Sequence, residues 1–112
     1  MSFDFFTPRM AQFFHHNSFG YCLRCPRTRH MHLCFGNLAL VATTAEFQEF
    51  RRFIEEEHAR NHSAYRDPEA RCIALRTPTD RMALVLSWQE LEQLHEILEN
   101  TALLLEVEAL LG

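Results

Sequence analysis

The sequence predicts an α+β fold in which two strand-strand-helix repeats form a four-stranded, mainly antiparallel sheet with two helices on one face. Three observations predict it. Thr43-Thr44-Ala45-Glu46 and Ser87-Trp88-Gln89-Glu90 each carry the hydroxyl and carboxylate of a capping box, whose two side chains satisfy free backbone N–H groups at a helix start. Each box precedes apolar residues at helical spacing, Phe47, Phe50 and Ile54 in the first and Leu91, Leu94 and Leu98 in the second. A shift of 44 residues lays Thr43 on Ser87, Glu46 on Glu90, Phe50 on Leu94 and Leu40-Val41 on Leu84-Val85, so strand, cap and apolar face agree at one offset.

Residues 1–19 read as an aromatic lead-in holding six phenylalanines, Phe3, Phe5, Phe6, Phe13, Phe14 and Phe19, in which Thr7 can cap a short helix that starts at Pro8. The first unit, 20–66, has strands at Tyr21 to Cys25 and Met31 to Ala42 about the turn Pro26-Arg27-Thr28-Arg29. Gly36 interrupts the second strand and suggests a bulge or a close backbone approach. The helix that follows is expected to run to about His62. The second unit, 67–112, opens after the Asp67-Pro68 break, with strands at Arg71 to Arg76 and Arg81 to Leu86 around Thr77-Pro78-Thr79-Asp80. Its helix changes character beyond Asn100, where Leu103, Leu104, Leu105, Val107, Leu110 and Leu111 surround the axis and leave mainly Glu106 and Glu108 polar. Such a helix needs cover on more than one side. Either the aromatic lead-in supplies it, or a second subunit does, in a homodimer through the C-terminal helix.

At 112 residues and 47% hydrophobic, the chain has the size of one domain and can bury a core without disulfides. Its formal charge of -4 is uneven: residues 1–44 carry four arginines and one aspartate, residues 45–112 seven arginines and fourteen acids. A polyanion would be attracted only by the N-terminal third, so the balance argues against nucleic acid, and Arg24, Arg27 and Arg29 read as solvated side chains on a hairpin. No stretch approaches the ~18 apolar residues of a membrane span. Asp4, Pro8 and Arg9 break any export signal, so a cytoplasmic chain with unpaired cysteines is expected. None of the four serines sits in a nucleophile elbow, and three glycines build no phosphate loop, so no enzymatic activity is expected.

Chemistry concentrates in Gly20 to Asn37, which holds three of the four cysteines. Cys22-x2-Cys25 has the spacing by which two thiolates reach one ion, and tetrahedral zinc needs two further ligands. His32 and Cys34 alternate with Leu33 and so share a strand face, giving the expected zinc set Cys22, Cys25, His32 and Cys34. His58 and His62, four apart on the first helix, are a second source, and His15 or His16 with Cys72 a third. The same cysteine pair could instead be a reversible redox or sensing dithiol, with Arg24, Arg27 and Arg29 favouring the thiolate.

Gly20-Tyr21, Cys22-x2-Cys25, Phe35-Gly36-Asn37, Phe47, Cys72, Leu75-x-Thr77-Pro78 and Leu86-Ser87 before an acidic, leucine-rich helix together resemble a small uncharacterised bacterial family of the Bacteroidota type. The resemblance implies a cytoplasmic single-domain protein and brings no activity with it. The functional expectation is a non-enzymatic, zinc-stabilised module that binds a protein partner, with thiol redox or thiol sensing as the alternative.

Overall fold

The computed structural model describes residues 12–64, 66–76 and 81–112, so the helix expected at Thr7-Pro8 and the turn Thr77-Pro78-Thr79-Asp80 lie outside the described residues. Strands β1 (Gln12–His16), β2 (Gly20–Arg24), β3 (Met31–Phe35) and β4 (Leu38–Ala42) pair with their chain neighbours in one antiparallel sheet. Helix α1 (Thr44–Asn61) follows, then a hairpin of β5 (Ile73–Arg76) and β6 (Ala83–Leu86), then helix α2 (Trp88–Leu111).

The α+β class and a four-stranded antiparallel sheet are thus as the sequence predicts, but the strands are not the expected ones. All four lie between residues 12 and 42, and β5 and β6 form a separate two-stranded sheet. Two local features account for the difference. The aromatic lead-in contains a strand, because the Asn17 side-chain oxygen accepts the N–H groups of Phe19 (2.9 Å) and Gly20 (3.2 Å) and turns Gln12–His16 back onto β2. The stretch from Met31 to Ala42 is two strands rather than one with a bulge. Gly36, at φ +58°, occupies the first central position of a two-residue turn that sets Phe35 opposite Leu38. β3 therefore lies between β2 and β4, and the second hairpin does not join this sheet.

α1 starts at Thr44, after the four-stranded sheet, and α2 at Trp88, after the two-stranded one. Both capping boxes are complete. The Thr43 hydroxyl accepts from the Glu46 N–H (3.1 Å) and the Glu46 carboxylate from the Thr43 N–H (2.8 Å), and Ser87 and Glu90 repeat this at 3.0 and 2.9 Å.

Inward-facing Phe14, Cys22, Met31, Leu33 and Phe35 of the sheet meet Phe47 and Ile54 of α1, Leu91, Leu94, Ile97 and Leu98 of α2, and Ile73, Leu75 and Leu86 of the second hairpin in one apolar cluster. α2 touches β1, β2, β6 and α1. A bulge in β1 between Phe13 and His15 lets Phe14 enter the core while His15 reaches Glu96 of α2 at 2.7 Å. Arg24, expected to be solvated, is buried at the end of β2. It donates to both oxygens of Glu108 on α2 and to Gln12, and its guanidinium lies 5.2 Å from the Phe14 ring centroid. The carboxylate that compensates its buried charge is 84 residues away, which no local pattern announces.

Gly20 has no room for a side chain: a Cβ there would lie 1.9 Å from the Cys34 carbonyl oxygen. Gly20→Ala is expected to destabilise the chain by about 3 kcal/mol or more in urea unfolding, the upper end of overpacking costs. A loss below about 1 kcal/mol would show that β2 and β3 are not in this register.

Candidate functional site

Strand alternation decides where the four expected ligands go. Register pairs Cys22 with Leu33, Leu23 with His32 and Tyr21 with Cys34. Cys22 and Leu33 point into the core, so His32 and Cys34 lie on the opposite face of the sheet. His32 and Cys34 do share a face, as their spacing predicts, but Cys22 is on the other one. Among the described residues no three His, Cys, Asp or Glu side chains form a group that could hold a metal ion. The sequence signal was present in the strand assignment itself, since residues three apart in an extended strand face opposite ways.

The three thiols of this region are chemically distinct. Cys22 is fully buried, and burial pushes its pKa up to about 12, with the Thr101 hydroxyl beside it opposing the shift. Cys34 is half-buried and hydrogen-bonded to the Tyr21 hydroxyl. Burial first, then this contact, raises the Tyr21 pKa to about 12. Cys25 begins the turn between β2 and β3, where its N–H donates to the His30 carbonyl and its carbonyl accepts from the Arg29 N–H, with Arg29 at φ 64°. Its thiol takes hydrogen bonds first from the Thr28 N–H, then from the Thr28 hydroxyl and the Arg27 N–H, with the Arg27 charge adding to them. These hold its pKa below the ordinary thiol value. Cys72 is exposed just before β5.

The other expected ligand sources are elsewhere. His15 is engaged by Glu96. His58 stacks on His95 of α2, with ring centroids 3.9 Å apart and 4° between planes, and on Trp88 at 4.8 Å, while His62 meets the Trp88 edge at 5.9 Å. Burial first, then His95 and His62, lower the His58 pKa, with Glu92 and Glu99 opposing. His95 was not singled out by sequence, although it lies seven residues after Trp88 and therefore on the same helix face.

Two surface concavities lie along α2. One, of about 630 Å³, is lined by Arg24, Thr44, Arg51, Glu99 and Leu103, but its guanidiniums are already matched by Glu108 and by Glu99, at 3.0 Å from Arg51. The other is a shallow groove of about 510 Å³ between Phe13 of β1 and Leu104, Val107 and Leu111 of α2. No helix among the described residues is long and apolar enough to cross a membrane.

A family model described as a family of unknown function, DUF6686, matches residues 9–109. The chain belongs to that family. The match spans the eight elements of the described residues up to the last turn of α2 in the DUF6686 chain, and includes the cysteine stretch and the Phe35-Gly36-Asn37 turn. No curated protein and no solved structure matches the DUF6686 chain.

The thiol environments set an order of reactivity. In the native protein Cys25 is expected to react with iodoacetamide along a pH profile whose midpoint lies below that of an ordinary thiol, about 8.5. Cys22 is expected to stay unmodified until the chain unfolds. Peptide mass spectrometry after timed alkylation reads both, and equal rates at Cys22 and Cys25 would contradict the placement.

Proposed function

We propose that this DUF6686 chain is a non-enzymatic protein-interaction module that docks an apolar partner surface through the C-terminal half of α2. The observation that carries the reading is the exposure of that half: Leu103 is 57% exposed, Leu110 82% and Leu111 84%, with Leu104 and Val107 also exposed. At positions 103, 104, 107, 110 and 111 these residues form a stripe at helical spacing, and Leu105 alone in the same stretch turns to the core. A contiguous apolar patch of this kind, extended by half-exposed Phe13 across the groove, is how an interaction surface differs from scattered surface leucines. A homodimer through this helix is one form the docking can take.

Zinc held by Cys22, Cys25, His32 and Cys34 is not part of this reading, because the sheet separates Cys22 from His32 and Cys34. A Cys22–Cys25 dithiol fares no better. Cys22 faces the core and is fully buried, while Cys25 sits in the turn beyond the end of β2. A second reading is a single-thiol sensor at Cys25, favoured by the hydrogen bonds that Thr28 and Arg27 direct at its sulfur.

The docking reading separates from a purely structural one by stability. A Leu104→Glu, Leu111→Glu variant is expected to unfold within about 0.5 kcal/mol of the wild type, as surface substitutions do, and to lose whatever apolar dye or partner the wild type binds there. A loss of about 3 kcal/mol or more would make the stripe part of the core and end the docking reading.

A further inference from the structure

The two outer strands of the four-stranded sheet are built differently. β1 carries a bulge between Phe13 and His15 and is polar at Gln12, His15 and His16, which are devices that keep a sheet edge from pairing. β4 has none of them. Leu38-Ala39-Leu40-Val41-Ala42 holds no charge, no proline and no bulge, and its pairing with β3 is regular over all five residues.

The hairpin fixes which backbone groups of β4 are unused. Phe35 and Leu38 close a two-residue turn and are a hydrogen-bonded pair, so Leu38, Leu40 and Ala42 direct their N–H and C=O groups at β3. The Gly36 N–H donating to the Phe19 carbonyl on the other side of β3, at 2.9 Å, confirms that alternation. Ala39 and Val41 therefore direct theirs away from the sheet, and no strand among the described residues lies there. Both residues are exposed.

We propose that the β4 edge is a self-pairing interface, at which a second copy of this chain adds its own β4 antiparallel about a two-fold axis through Leu40. The register is self-complementary. Ala39 opposite the partner's Val41 puts outward-facing donors and acceptors on both strands into hydrogen-bonded pairs. Leu40 opposite its own copy falls at a non-hydrogen-bonded position, as its use by β3 requires. Two residues per strand, each with one N–H and one C=O, give 2 × 2 = 4 intermolecular hydrogen bonds and leave none of these groups unpaired. Residues directly opposite in an antiparallel pair share a face, so the inward positions 38, 40 and 42 meet inward positions and the outward 39 and 41 meet outward ones. No like charges meet along the strand. The interface is separate from the α2 stripe and does not depend on it.

Sedimentation equilibrium from micromolar to millimolar chain, with residue-resolved amide exchange at both ends of that range, tests the proposal. The expected result is a monomer–dimer equilibrium in which the Ala39 and Val41 amides gain protection as concentration rises. Ala39→Pro removes an N–H that β3 does not use, and Val41→Lys places a charge on the exposed side of the edge. Each is expected to weaken the dimer by roughly tenfold or more with the circular dichroism unchanged, while Leu104→Glu leaves it intact. A monomer throughout, a dimer without protection at Ala39 and Val41, or a dimer broken by Leu104→Glu and kept by Val41→Lys would overturn it. If the edge variants fail to fold, the wild-type amide protection alone decides.

Discussion

The burial of α2 from Leu91 to Thr101 is the interaction on which the other elements depend. Leu91, Leu94, Ile97, Leu98 and Thr101 are fully buried on one helix, against the sheet, α1 and the second hairpin at once. Its polar residues fasten the same partners: Glu96 to His15, Glu99 to Arg51 and Glu108 to Arg24. The burial stabilises through apolar area removed from water, and the ion pairs contribute mostly by fixing where the helix lies. A hairpin of two four-residue strands such as β5–β6 is marginal alone, and its Ile73, Leu75 and Leu86 are buried in the same cluster as the inner face of α2, which follows directly from β6.

The second organising constraint is the two-residue period of the meander. It sends Cys22 inward beside Thr101, leaves His32 and Cys34 on the far face, and delivers Cys25 to a turn whose N–H groups converge on its sulfur. Three cysteines within thirteen positions thereby become a core side chain, a partner of the Tyr21 hydroxyl and an accessible thiol of lowered pKa. Proximity in sequence does not survive as proximity of donor atoms, because an extended chain separates residues by distance and by face together.

The helices were legible from the sequence because their signals are local. Thr43 with Glu46 and Ser87 with Glu90 set both starts, and the apolar spacing from Phe47 and Leu91 set the buried faces. The sheet was only half legible. Asn17 with Gly20 is a turn signal in residues otherwise dominated by phenylalanine, and Gly36-Asn37 is a hairpin turn that apolar residues on both sides disguise as one long strand. Arg24 could not have been placed without knowing that Glu108 lies above it. The stacking of His58 on His95 and Trp88 likewise exists only once the two helices are side by side. The apolar stripe at the end of α2 was readable, but whether it faced a core or solvent depended on how far the sheet reaches along the helix.

Native-state hydrogen exchange is the most direct test of α2 as the common support. If its burial holds the sheet, α1 and the second hairpin in one cooperative unit, the amides of Leu94, Leu98 and Thr101 exchange with the same opening free energy as those of Cys22 and Leu33 in the sheet, and that energy equals the global one. Exchange of α2 and β5–β6 through an opening several kcal/mol below that of the sheet would contradict the account, since the sheet would then stand without the helix that is held to support it.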